Sequence, residues 1–113
     1  MAAVYDIRVT EGYDYSESFS FNDSNGDPKD LSSYTFDCDF KDVLADPAIG
    51  SFVVNTAQAA NGILILSLNK TTLSALMDAG VRYYYDLLQI NGTTYTQLMV
   101  GRVEVGVGIS NGS

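Results

Sequence analysis

Apolar and polar side chains alternate along most of the chain, and this alternation predicts β-strands. Near the start, Tyr5, Ile7 and Val9 alternate with polar residues, and the segment 13–21 places aromatic side chains on one face and serines on the other. A period of two is that of a strand with one buried face. The same pattern predicts five later strands, at 34–42, 52–55, 63–68, 81–90 and 94–108.

Turn signals separate these strands. Asn61-Gly62 and Asn91-Gly92 are sequences typical of tight hairpin turns, and the segment 42–51 is predicted to be a loop. Gly101 interrupts the last strand, and a glycine inside a strand indicates a β-bulge that shifts the register.

One segment has a helical period instead. Leu73, Leu76 and Met77 recur at the spacing of one helix face, Asn69 or a following threonine can cap the start, and Gly80 can end it. We therefore expect one short helical turn near 70–78.

About seven short strands with a single helical turn predict an all-β fold. The expected architecture is a single immunoglobulin-like antiparallel β-sandwich that spans residues 1–113, with 110–113 as a loose tail. A closed barrel is the alternative. At 113 residues the chain is long enough to form one domain with its own core.

The segment 21–30, FNDSNGDPKD, carries oxygen ligands and a glycine as calcium-binding loops do. If Gly26 is the central glycine of an EF-hand loop, the first ligand position falls on Phe21 and the last on Ser32. Because two essential oxygens are then missing, the preferred interpretation is a turn. We expect no metal site.

The composition narrows the possible chemistry. The chain has no histidine and one cysteine, so the commonest general base is absent and no disulfide can form within the chain. Asp37 and Asp39 share one face of a strand, but they lie on its polar side without a partner base and are expected to be solvated. Cys38, on the other face, is expected to be a core residue. We therefore expect that the protein is not an enzyme and that it binds no cofactor.

The net charge of −8 argues against two classes of partner. It repels phosphate backbones and anionic lipid, so neither nucleic acid nor a membrane is expected to bind. The N-terminus shows no export signal, and the longest apolar run, 63–66, is too short to span a bilayer.

The strand order, together with the motifs YYDLLQ, a hairpin and GRVEV, resembles a family of small β-sandwich domains in tailed bacteriophages. These domains occur at the N-termini of upper baseplate and tail-fibre proteins and as short virion proteins. The resemblance covers nearly the whole chain. It implies a non-catalytic structural protein of the virion, made in the host cytoplasm, that docks as a symmetric homo-oligomer on other virion proteins of the tail, baseplate, neck or fibre base, or decorates the capsid.

The resemblance also implies structural roles for some residues. Asp86, Gly101 and Arg102 match the family motif, and Arg102 is expected to pair with a carboxylate on a neighbouring strand. Glu17 departs from the motif because the family has an apolar residue there, so either the strand bulges or a basic partner such as Arg8 or Arg102 faces it. The chain also stops where fibre-bearing members continue.

A weaker resemblance concerns the segment DAGVRYYYD, 78–86. It is similar to the D-x-G-x-Y-x-C corner of immunoglobulin domains, in which a tyrosine bonds back to the preceding loop. Arg82 stands where that tyrosine belongs, and Tyr83 follows one place later.

Apolar residues on both faces of two strands mark candidate contact surfaces, because one core needs only one face of a strand. An alternative function is a receptor- or glycan-binding module, in which tyrosine rings stack on sugars. The candidate interface residues are Tyr83, Tyr84, Tyr85, Leu88, Ile90, Ile63 and Ile65.

Overall fold

The structure, a computed structural model, describes residues 3–42 and 47–107. Its nine strands within these ranges are β1 (Ala3–Val4), β2 (Ile7–Thr10), β3 (Tyr15–Ser20), β4 (Thr35–Lys41), β5 (Gly50–Ser51), β6 (Val53–Asn55), β7 (Ile63–Leu68), β8 (Arg82–Asn91) and β9 (Thr94–Gly106). One α-helix, α1 (Lys70–Leu76), and one 3-10 turn (Ala59–Asn61) complete the secondary structure.

The strands form two sheets that pack face to face. Sheet A has the order β1-β9-β8-β4-β5, with β2 also paired to β9, and sheet B has the order β3-β7-β6. The predicted all-β sandwich is confirmed, and the barrel is not formed because the two sheets are separate. The sandwich is not wholly antiparallel, however, since β1 and β2 both run parallel to β9.

The core lies between the sheets and follows the predicted alternation. On β7, Leu64, Leu66 and Leu68 are buried, and on β4 the side chains of Cys38 and Phe40 are buried. Complete burial of a leucine or phenylalanine stabilises the fold by about 2–3 kcal/mol. The strand pattern in the sequence therefore places the core correctly.

The hairpin predicted at Asn91-Gly92 joins β8 and β9, but its two turn residues lie one position later than predicted. Asn91 pairs with Thr94, so Gly92 and Thr93 are the two turn residues. Gly92 has φ +62°, and positive φ at the first central position is typical of a type II′ turn, which glycine adopts without strain.

The helix lies where its pattern predicts it. The Asn69 side chain caps its start by accepting a hydrogen bond from the Thr72 N–H at 2.7 Å. The prediction that Gly80 ends the helix is wrong, because Met77 already has extended dihedral angles and serves as the C-cap.

The segment 42–51 is not entirely a loop, because Gly50–Ser51 forms β5 on the edge of β4. The next strand, β6, pairs with β7 in the other sheet. The chain therefore crosses from sheet A to sheet B at Phe52, whose side chain is buried in the core. The predicted loop at 43–46 and the predicted tail at 110–113 lie outside the described residues.

The bulge in β9 is not at Gly101. Leu87 lies opposite Met99 and Leu88 opposite Gln97, so the extra residue is Leu98. Gly101 pairs regularly with Tyr85. It is required for another reason: a Cβ at this position would lie 2.1 Å from the carbonyl oxygen of Tyr5, in the segment between β1 and β2 that runs beside β9.

The segment 21–30 is the turn that was predicted. Asn22 and Pro28 form an isolated antiparallel bridge. The Asp23 carboxylate accepts hydrogen bonds from the N–H groups of Asn25 and Asp27, at 2.9 and 3.1 Å, so this acidic side chain stabilises the turn itself.

Candidate docking surface

β8 places several half-buried apolar side chains on the face of sheet A that points away from sheet B. Along this strand, every second residue is buried in the core, and the residues between them are half-buried on the outer side. This second set is Tyr84, Asp86, Leu88 and Ile90. We call this surface, with its neighbours on β4 and β9, the outer face of sheet A.

Two of the predicted interface residues do not belong to this surface. Tyr83 and Tyr85 are each only 3% exposed and lie in the core, so they are removed from the candidate interface. The sequence could not make this distinction, because Tyr83, Tyr85 and Leu87 are as apolar as the residues that alternate with them.

Both buried tyrosines use their hydroxyl groups inside the domain. The Tyr83 hydroxyl accepts a hydrogen bond from the Asp78 N–H at 2.7 Å, which resembles the immunoglobulin corner in bonding back to the preceding loop. The Tyr85 hydroxyl donates to the Tyr5 carbonyl at 2.5 Å. Burial raises the pKa of the Tyr85 hydroxyl well above its ordinary value.

Two carboxylates face each other in the middle of the outer face. Asp39 on β4 lies directly opposite Asp86 on β8. The Ser51 hydroxyl donates to Asp39 at 2.5 Å, and the Gln97 side chain donates to Asp86 at 3.3 Å. Like charges in directly opposed positions destabilise a sheet, so this arrangement is not explained by stability of the fold.

The carboxylate pair lies at a depression of about 230 Å³ in the outer face. Lys41, Tyr84 and Gln97 also line it. The depression is therefore lined by acidic, basic, amide and aromatic residues. The predicted structural residue Asp86 lies inside this surface rather than apart from it.

The other predicted interface residues, Ile63 and Ile65, lie on the opposite side of the molecule. They occupy the outer face of sheet B, where they pair with Ser20 and Ser18 of β3. Both isoleucines are half-buried. The structure therefore separates the predicted residues into two surfaces on different sheets.

Glu17 has two partners, and neither is basic. Its two carboxylate oxygens accept hydrogen bonds from the hydroxyl groups of Tyr5 and of Tyr15, the latter at 3.0 Å. The predicted arginine partner is therefore wrong. Arg8 instead forms an ion pair with Glu104 at 3.2 Å between exposed side chains. The strand does not bulge at this position either, since β3 and β7 pair without a break.

The hydrogen bonds to Glu17 contribute to a raised pKa of both tyrosine hydroxyl groups. The bond to Glu17 raises the pKa of Tyr5, with burial as a smaller cause. Burial is the larger cause for Tyr15, whose pKa is raised well above its ordinary value, and the bond to Glu17 adds to it.

Arg102 meets a carboxylate through its backbone rather than its guanidinium group. Its N–H donates to Asp6 Oδ1 at 3.1 Å, and within residues 3–42 and 47–107 its side chain forms no ion pair. Together with the bond from the Tyr5 N–H to the Val100 carbonyl, at 3.0 Å, this fixes the segment between β1 and β2 against β9 at Gly101.

The close approach of Tyr5 and Asp6 to Gly101 is the feature that sequence reasoning missed. Tyr5 contacts both sheets, because its carbonyl accepts from Tyr85 of sheet A and its ring packs edge-to-face on Phe19 of sheet B, with centroids 5.2 Å apart. The signal in the sequence was Gly101, since a glycine in a strand also marks a close approach of another backbone.

The residues considered for chemistry occupy the positions that their strand predicts. Asp37 is exposed, and Cys38 is 1% exposed. Burial, with smaller contributions from nearby carboxylates, raises the pKa of the Cys38 thiol well above its ordinary value. The described residues contain no group of three or more side chains suited to hold a metal ion. No helix among them is long and apolar enough to cross a membrane.

The arrangement defines a small two-sheet β-sandwich with a mixed apolar and acidic outer face. No family model matches the chain, and no curated protein matches it. Among solved structures, the chain is similar to the N-terminal domain of phage TP901-1 ORF48, with 14% identity, a TM-score of 0.49, and coverage of 92% of this chain and 85% of that one.

Two further solved structures are similar to the chain at low identity. The extracellular domain of the voltage-gated sodium channel beta4 subunit is 8% identical, with a TM-score of 0.45 and 96% of each chain covered. A nucleoside hydrolase-related hypothetical protein from Saccharophagus degradans is 16% identical, with a TM-score of 0.33. The match covers 94% of this chain and 23% of that protein. All three TM-scores lie below 0.5, so none of these likenesses carries a functional argument.

Proposed function

We propose that this chain is a non-catalytic structural protein of a tailed-phage virion. Its work is docking: it binds other virion proteins and further copies of itself on the tail, baseplate, neck or fibre base, or on the capsid. The assignment to a phage rests on the sequence resemblance carried by YYDLLQ and GRVEV. The assignment to docking rests on the outer face of sheet A.

The observation that supports docking is the composition of that face. On the central strand β8, Tyr84, Leu88 and Ile90 stay half-buried although no other layer of the described chain covers them. Interface centres are enriched in aromatic and apolar side chains with few charges, and a polar rim surrounds them. The acidic pair lies between Tyr84 and Leu88, so a partner must meet it with hydrogen-bond donors or positive charge.

The test is recovery of the chain with particles. Lysate from the native source is sedimented on a density gradient, and mass spectrometry measures the number of copies of this chain relative to the major capsid protein. Stoichiometric recovery with particles is expected. Recovery only among small soluble proteins would overturn the proposal.

A matched pair of variants connects the recovery to the surface. Leu88→Lys places a charge on the outer face of sheet A and should abolish incorporation into particles. Ile65→Lys makes the same kind of change on the outer face of sheet B and should retain it. Both side chains are half-buried, so thermal unfolding must show that the two variants are folded to the same degree.

One observation favours a second function, the binding of a glycan. The depression on the outer face combines the Tyr84 ring with the oxygens of Asp39 and Asp86 and the amide of Gln97. Such a set can stack on a sugar ring and hydrogen-bond to its hydroxyl groups. Saturable NMR shifts of these residues on a glycan panel, lost in Tyr84→Ala, would favour this function over docking.

A further inference from the structure

The first part of β9, next to the hairpin turn, has one edge that is not paired with another strand of the described chain. On β9, the N-terminal strands pair only from Met99 onward. Within residues 3–42 and 47–107, no strand lies beside the outer edge of 94–98. This edge is exposed, and the Tyr95 side chain is 62% exposed at its centre.

The hairpin register shows which backbone groups point outward. In a two-residue hairpin the flanking pair exchanges hydrogen bonds, and the alternation continues from there. Because Asn91 pairs with Thr94, the N–H and C=O groups of Tyr95 and Gln97 point away from β8. The same alternation explains why, beyond the bulge, the Val100 carbonyl points toward the N-terminal segment.

The charge pattern identifies where a second copy can approach. The chain carries a formal charge of −8, so two copies repel each other over most of their surface. The segment 87–101, which contains the whole tip of the hairpin, has no charged residue. Natural sheets protect open edges with lysine, proline, inward charges or bulges. The edge at 94–97 has no charge and no proline, and the bulge at Leu98 marks its end.

We propose that two copies of this chain pair edge to edge through 94–97, with a twofold axis at Tyr95, so that their A sheets become one continuous antiparallel sheet. Tyr95 of each copy exchanges two backbone hydrogen bonds with Tyr95 of the other. The two rings lie side by side on the outer face, next to Ile90, its cross-strand neighbour. Thr94 then faces Thr96 of the other copy.

This inference rests on the proposed docking function but goes beyond it by naming the edge, the register and the partner. A foreign strand would fit the same hydrogen-bonding groups. A second copy is the preferred partner because two copies carry the same net charge and repel each other. An uncharged contact edge at 94–97 reduces this repulsion where they meet. The contact is small, so dimers are expected only at high concentration or where copies are held close together.

Disulfide formation between separately tagged variants, each with one added cysteine, tests the register. Thr94→Cys and Thr96→Cys are mixed at millimolar concentration under mild oxidation. In a non-hydrogen-bonded antiparallel pair the Cα atoms are close enough for a disulfide. Cross-linked heterodimers are therefore expected in the mixture, and no dimers in either variant alone. The native Cys38 is buried and does not compete.

A proline variant tests the role of the backbone. Tyr95→Pro removes the outward N–H without removing a bond to β8, and it should lower the cross-linking yield about tenfold. The control, Tyr95→Val, keeps the N–H and should retain most of the yield. Equal yields with both variants would overturn the proposal.

Other outcomes separate this inference from the proposed function. Dimers of Thr96→Cys alone would show a different register and overturn the one proposed. No cross-linking, with Tyr95→Pro lost from particles and Tyr95→Val retained, would assign the edge to a strand of another protein. No cross-linking, with both variants in particles, would reject the edge contact and leave docking through the outer face intact.

Discussion

The substitution Gly101→Ala tests the close approach of the N-terminal segment to β9. The added Cβ would lie 2.1 Å from the Tyr5 carbonyl oxygen, 2.8 Å from the Tyr5 carbonyl carbon and 3.1 Å from Asp6 Oδ1. The first two contacts are with backbone, which cannot rotate away as a side chain can. The segment must therefore lift off the strand.

The cost follows from the bonds that the lifted segment loses. Besides the bond from the Tyr5 hydroxyl to Glu17, three hydrogen bonds tie it to β8 and β9: Tyr5 N–H to Val100, the Tyr85 hydroxyl to the Tyr5 carbonyl, and Arg102 N–H to Asp6. At about 1 kcal/mol net for each bond, their loss destabilises the fold by about 3 kcal/mol. Smaller structural adjustments that keep some of these bonds would bring the cost to about 2 kcal/mol.

Urea unfolding followed by circular dichroism measures this cost. Gly106→Ala is the matched control, because it lies in the same strand and its Cβ would meet nothing closer than the Val9 carbonyl at 3.8 Å. This control should change stability by less than about 0.5 kcal/mol or increase it slightly. A cost below about 1 kcal/mol for Gly101→Ala would refute the close-approach argument.

A double-mutant cycle sharpens the result. Tyr85→Phe alone removes the hydroxyl that donates to the Tyr5 carbonyl and should cost about 1 kcal/mol. If Gly101→Ala already breaks this bond, Tyr85→Phe should cost much less in its presence. Additive costs would show that the segment stays in place and that the alanine is accommodated elsewhere.

Three further predictions concern titration, an unpaired polar atom and the carboxylate pair. The pKa of Tyr15 is raised in the fold, so the stabilisation from its neutral hydroxyl is fully present below about pH 10 and is lost as the pH rises beyond that. Tyr15→Phe should therefore reduce the alkaline loss of stability by about 1.4 kcal/mol per pH unit. An unaltered slope of the free energy of unfolding against pH would contradict this. The buried Gln89 Oε1 has no hydrogen-bond partner among the described residues, so Gln89→Met should raise the free energy of unfolding by about 1 kcal/mol, and a loss of stability in urea unfolding would argue against it. Asp86→Asn should stabilise the fold by about 0.5 kcal/mol, more at low salt, by removing one of two facing charges, and an equal gain from the control Asp27→Asn in thermal unfolding would show only a net-charge effect.

The strands and the core could be predicted from the sequence because both depend on a period of two. Leu64, Leu66 and Phe40 are buried where the alternation places them. The cap at Asn69 was also readable, since capping depends on residues within one turn of chain. Local rules of this kind need no knowledge of which strands are neighbours.

The contacts that could not be predicted depend on register between distant strands. Glu17 was expected to lie in a bulge or to meet a basic partner, but its partners are Tyr5 and Tyr15, which lie on the N-terminal segment and on β3. Asp39 faces Asp86 only because β4 pairs with β8 at that offset. No short-range pattern contains this information.

The two faces of β8 show the same limit for the candidate surface. Tyr83, Tyr84 and Tyr85 are identical in type, and only the second points outward. What distinguishes them is which face of β8 the other sheet covers, and this depends on parts of the chain far from β8. Tyr83 and Tyr85 lie on the covered face, where their hydroxyl groups bond to the Asp78 N–H and to the Tyr5 carbonyl. Tyr84 is therefore the tyrosine of β8 that remains for a partner on the outer face of sheet A.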